Sequence, residues 1–122
     1  MQIDRNGARL AQPGPADYFT GDARFDARAE AGAPGRAHIA VVSFAPGART
    51  AWHTQPLGQT LVVTAGCGWA QTEGGPRQEI RAGDIVRFAP GEKHWHGATA
   101  TTAMTHVAVQ EAEGGSTTTW LE

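Results

Sequence analysis

Glycine and proline interrupt this chain at short intervals, sixteen and seven times in 122 residues, and that spacing argues against long helices. Between the breaks lie apolar or alternating runs of strand length: AHIAVVSFA (37–45), TLVVTAG (60–66), GWAQTE (68–73), RQEIRA (77–82), DIVRFAP (84–90) and TAMTHVAVQEA (102–112). The breaks themselves, PGAR, PLGQ, EGGP, AGD and PGEK, carry turn chemistry. Short strands separated by such turns predict an all-β sandwich or antiparallel barrel. Residues 1–36 show no sustained period. They are read as an arm that adds an edge strand, with ARAEAG forming at most a short turn of helix. The barrel is assigned to 37–112 and a C-terminal tail to 113–122.

Alternation sorts the side chains by face, because residues two apart on a strand point the same way. Ala40, Val42 and Phe44 share one face, and Gln59, Leu61 and Val63 share another. His53 and Gln55 leave one strand together before Pro56, Leu57 and Gly58 turn the chain toward Gln59. His94 and His96 flank Trp95, and His106, Ala108 and Gln110 point together against Val107 and Val109. Four of the five histidines therefore fall on barrel strands among apolar neighbours. His38, beside Gly35 and Arg36 at a strand start, is read as a surface residue.

Composition narrows the classes of function. Ten Lys and Arg against twelve Asp and Glu leave a formal net charge of −2 with the signs interspersed. No basic stripe favours nucleic acid or an anionic membrane as partner. No apolar run approaches the roughly 18 residues of a spanning helix, and MQIDRNGARL lacks the pattern of a signal peptide. The single Cys67 cannot form an internal disulfide and fits a reducing compartment, so the chain is read as cytoplasmic and soluble. At this length one domain buries about two-thirds of its unfolded surface.

A first-row transition ion takes imidazole nitrogen together with neutral or anionic oxygen, with a coordination position left open for substrate. His53, Gln59 and His94 could supply that set, with the amide oxygen of Gln55 as a fourth ligand. The spacing resembles the cupin family, whose first motif runs G-x5-H-x-H-x3-E-x6-G with Gln also found at the third polar position. Here Gly47, His53, Gln55, Gln59 and Gly66 occupy those places. The second motif, G-x5-P-x-G-x2-H-x3-N, is matched by Gly83, Gly91 and His94. Its proline is shifted to Pro90, and Ala98 stands where Asn is usual.

The stretches GPADYFTG, GARTAWH, PLGQTLVVTAGCGWAQ, PGEKHWHGA and TTAMTHVAVQE are similar to the small bacterial cupins that act as manganese-dependent hydroxynitrile lyases. That resemblance implies a cupin β-barrel (jelly roll) that reversibly cleaves a cyanohydrin into an aldehyde or ketone and hydrogen cyanide. It places metal ligands at His53, Gln59 and His94, and a further histidine where this chain has Gln55. Mn²⁺ is the implied ion, with Fe²⁺ or another divalent transition metal as alternatives. Within that frame His106 is the expected base, since it faces the ligands' interior but lies outside both motifs. His96 and Gln110 are candidate donors to cyanide or to the reacting oxygen. Ala40, Val42, Phe44 and Leu61 form the expected apolar wall, and Thr50 is placed in the pocket. The partner is a small-molecule substrate, and a homo-oligomer, dimer or tetramer, is implied. The same fold and ligands also suit a metal-dependent oxygenase, or a cupin that binds a small molecule without turning it over.

Overall fold

The computed structural model describes residues 1–8 and 10–121, and among them there are twelve strands and no helix. In chain order these are β1 (Gln12–Pro13), β2 (Phe19–Thr20), β3 (Ala23–Glu30), β4 (Ala37–Phe44), β5 (Arg49–Thr50), β6 (His53–Thr54), β7 (Gln59–Thr72), β8 (Gln78–Arg81), β9 (Ile85–Phe88), β10 (His94–Ala98), β11 (Met104–Glu111) and β12 (Thr119–Trp120). Every pairing is antiparallel. One sheet runs β1-β3-β4-β11-β7 and ends on β9. The other runs β2-β5-β10-β7 and ends on β8, with β6 between β10 and β12. β7 belongs to both: its first half pairs with β11 and its second half with β10. Curling one long strand from sheet to sheet closes the structure into the expected all-β barrel.

The bend in β7 has a local cause. Gly66 sits at a φ of +76°, and a Cβ there would collide with the carbonyl oxygen of Ala103. Only glycine combines that backbone with so close an approach. Just before it, Thr105 pairs with Ala65 while His106 pairs with Val63, so Thr64 is the extra residue of a bulge. The bulge shifts β7 by one residue, so that Val63, Leu61 and Gln59 face inward opposite His106, Ala108 and Gln110.

Alternation sorts the core as the sequence predicts. Ala40, Val42 and Phe44 are buried while Ile39 is exposed, and Met104, His106 and Ala108 are buried across from them on β11. Gln59, Leu61 and Val63 point inward from β7. Two expectations are corrected. The runs 60–66 and 68–73 are one strand, because the Gly66–Gly68 segment bends β7 without ending it. ARAEAG contains no helical turn: its first four residues finish β3, which pairs along β4 from Ala23 to Glu30. The arm supplies β1 and β3 to one sheet and β2 to the other, and the C-terminal residues supply β12. No helix among the described residues is long and apolar enough to cross a membrane.

The two glycine positions give a stability prediction. Gly74 has a φ of +84° at a turn with open space around it. Gly74→Ala therefore costs only the left-handed backbone, about 1–2 kcal/mol, whereas Gly66→Ala adds a clash with backbone and costs more than about 3 kcal/mol. Urea unfolding of the two variants checks the order. Equal losses would contradict the role given to the bend.

Candidate metal centre

The register of the second sheet creates the site. His53 on β6 lies directly opposite His94 on β10, and their ring centroids are 4.3 Å apart. Two residues further along β10, His96 turns to the same side, and the three rings offer nitrogens within 4.8 Å of one another. Trp95 between them points away, donates Nε1–H to Gln71 Oε1 at 2.9 Å and stacks under Arg49. Gln59 approaches from the other sheet, placing Oε1 3.1 Å from His94 Nε2. His106, also from that sheet, has Nε2 3.0 Å from His96 Nδ1. Polar contacts thus cross between the sheets at two points.

Proton counting shows what this arrangement lacks. His53 Nδ1 is 2.8 Å from the carbonyl of Ala51, and His94 Nδ1 is 2.7 Å from that of Glu92. A carbonyl only accepts, so each Nδ1 carries the proton and each Nε2 presents a lone pair. His94 Nε2 then faces Gln59 Oε1, and two acceptors meet at 3.1 Å with no proton between them. The Gln59 amide is oriented by Nε2–H donation to Gln110 Oε1 at 3.1 Å, so its oxygen is held toward His94. A second proton on His94 would relieve the conflict, but burial lowers its pKa to about 4. Burial, with the His94 charge second, lowers His53 to about 4. Burial takes His106 to about 4 as well, and takes His96 well below its ordinary value with help from His106, His53 and His94.

A divalent cation resolves this pattern. The lone pairs of His94 Nε2 and Gln59 Oε1, 3.1 Å apart, would both be satisfied by one cation bound to them. Buried atoms without a partner, Gln55 Oε1 and His96 Nε2, stand at the same cavity and offer two more donors. Carbonyl-anchored imidazoles are the usual support of metal-binding histidines. The residues present therefore fit a divalent ion held by nitrogen and amide oxygen.

The cavity above this cluster measures about 560 Å³, room for one small molecule. Ala40, Val42, Phe44, Thr50, His53, Gln55, Gln59, His96, His106 and Gln110 all line it. His94 is sealed beneath, with Phe88 stacked on its ring at 3.6 Å. Leu61 does not line the cavity as expected: it is fully enclosed in the core opposite Ala108 and backs the wall. Thr50 does more than line it, since its Oγ1 accepts the backbone N–H of His96 at 3.2 Å. His38 reaches the mouth, 3.7 Å from Glu30, and is not simply a surface residue. Sequence reasoning missed Tyr18, Phe19 and Phe25 from the arm and Trp120 from the tail, all on the cavity wall. The β-branched run before Trp120 was the available signal of a strand there.

These pKa directions fix a pH dependence for the metal-free protein. Below pH 6.5 the unfolded chain binds protons on histidines that the folded chain leaves neutral until about pH 4. Stability is therefore fully present above 6.5 and is lost as pH falls toward 4. Melting temperatures measured from pH 7.5 to 4.5 are expected to decline steadily below 6.5. A flat profile would mean that the buried histidines are not held neutral.

Comparison with known proteins places this geometry. The cupin domain family matches residues 40–109. Over all 122 residues the chain is 59% identical to an (R)-mandelonitrile lyase of Granulicella tundricola, covering 93% of that protein. A cupin-like protein of Thermotoga maritima superposes with a TM-score of 0.84 at 32% identity, over 99% of this chain and 89% of that one. The polyketide cyclase RemF of Streptomyces resistomycificus shares the fold alone, with a TM-score of 0.72 at 16% identity over 93% of this chain and 80% of that one.

Proposed function

This chain belongs to the cupin family, and from that membership we propose that it is a metal-dependent hydroxynitrile lyase acting on mandelonitrile-like cyanohydrins. The observation that carries the reading is the acceptor–acceptor contact of His94 and Gln59 at the floor of an aromatic-walled cavity. The 59% identity to an (R)-mandelonitrile lyase supports this substrate class. His53, Gln59 and His94 hold the ion, with Gln55 Oε1 and His96 Nε2 as the further donors within reach. We take the ion to be Mn²⁺, since mixed imidazole and amide donors suit a divalent first-row metal. When bound, it supplies Lewis acidity to the hydroxyl or carbonyl oxygen.

The chain's own groups do the rest. His106 is the base: it is buried, neutral at working pH and oriented by His96, whose Nδ1 lies 3.0 Å from its Nε2. As the hydroxyl proton moves to His106, the O–H electrons become the C=O bond. The C–C bond to the nitrile then breaks, and its electrons leave on cyanide. Cyanide recovers the proton from His106 and departs as HCN. Gln110, tied to Gln59, is the amide placed to meet the leaving group. Val42, Phe44 and Ala108 exclude water and receive the carbon substituent. We further place the protein in a homo-oligomer, for which outward Ile39 and Ile85 offer apolar surface.

Loaded with Mn²⁺, the protein is expected to release cyanide from mandelonitrile. His106→Ala should keep its metal and lose about 10²–10⁴ in turnover. Near-normal turnover in that variant would move the base to His96. Oxygen consumption without cyanide release would make the chain an oxygenase instead. Gln55→His tests the departure from the related hairpin. Imidazole is a stronger donor than an amide oxygen for this ion, and histidine has one fewer rotatable bond to order. Titration should show tighter Mn²⁺ binding with cleavage kept or raised. Weaker binding or lost cleavage would make Gln55 an adapted residue.

A further inference from the structure

The metal-bearing strand β6 is only two residues long, and it is held by the C-terminal end of the chain. Toward β10 it has the single pair His53–His94, whereas β12 pairs with both its residues, Trp120 opposite His53 and Thr119 opposite Thr54. Leu121 N–H adds a bond to the carbonyl of Trp52 at 2.8 Å, just before the strand. The indole of Trp120 lies against the His53 ring, with centroids 4.7 Å apart and planes at 42°. Tyr18 stacks on the same indole at 4.6 Å and 11°, and Phe19 packs beside it at 5.9 Å. The indole therefore has ring partners from both the arm and the metal strand, and it also forms part of the cavity wall.

His53 needs such a support. Its bond from Nδ1 to Ala51 O fixes the tautomer and one point of the ring, and His94 and His96 meet the ring at 4.3 and 5.4 Å between centroids. The tilted indole of Trp120 is the partner that β12 adds to this ring, and a packed aromatic pair contributes beyond its buried area. We propose that Trp120 is a positioning residue for the metal ligand His53, so that the last strand of the chain sets the affinity of the centre. The proposal rests on the metal reading above. Trp120 touches neither ion nor proton; it orders the imidazole in advance, and pre-ordering a ligand lowers what binding must spend in entropy.

The test is Mn²⁺ titration of the full chain and of Trp120→Ala, Trp120→Leu and Trp120→Phe, each also melted without metal. Loss of a group that orients a ligand is expected to weaken binding about 10–100-fold in the Ala and Leu variants. Phe restores a flat ring and is expected to recover most of the affinity. A role in packing alone lowers the stability of metal-free and loaded protein equally and leaves the dissociation constant unchanged. If the Ala variant does not fold, the Leu and Phe pair still decides the matter. Parent-like affinity in Trp120→Leu overturns the proposal while leaving the metal reading intact. No binding by the parent chain overturns both.

Discussion

Four imidazoles are buried between the two sheets, and burial holds all four neutral at neutral pH. That constraint governs the rest of the interior. Neutral rings must place a lone pair somewhere, and two backbone carbonyls dictate where: the Nδ1–H bonds to Ala51 and Glu92 turn both Nε2 lone pairs of His53 and His94 inward. The amide of Gln59, pinned by Gln110, then brings one more acceptor to the same point. Acceptors that converge in this way would be paired by the divalent cation we propose. Leaving such groups unpaired and buried is costly, about 1–3 kcal/mol for each.

The barrel makes this gathering possible because its sheets supply different halves. β6 and β10 bring His53, His94 and His96, while β7 and β11 bring Gln59, His106 and Gln110. The bulge at Thr64 and the bend at Gly66 adjust β7 so that both halves face one cavity. Aromatic rings from the arm and from β12 close the wall above. Fold and chemistry are thus linked through register: a one-residue slip of β10 would turn Trp95 inward and both its histidines out.

Much of this was legible in the sequence, for a physical reason. A two-residue period survives in any strand with one buried face, so β4, β8, β9 and β11 and the inward histidines could be read directly. Where the backbone departs from regular pleating the reading failed. Gly66 and Gly68 looked like a break because glycine ends strands as often as it bends them, and only the partner strands show that β7 continues. Ala27 to Glu30 reads as weak helix on propensity, yet pairing along β4 overrides it. Trp120 and Phe88 support the histidines through contacts between segments distant in sequence, and no local pattern encodes such contacts. The enclosure of Leu61 likewise depends on what packs above it.

The proposed cation between the sheets is the centre of the account, and metal analysis of the protein purified without chelator tests it most directly. One divalent transition ion per chain is predicted for the parent, and almost none for His94→Ala at unchanged fold. A parent protein that neither retains nor takes up such an ion, or a His94→Ala variant that holds it as well, would contradict the account.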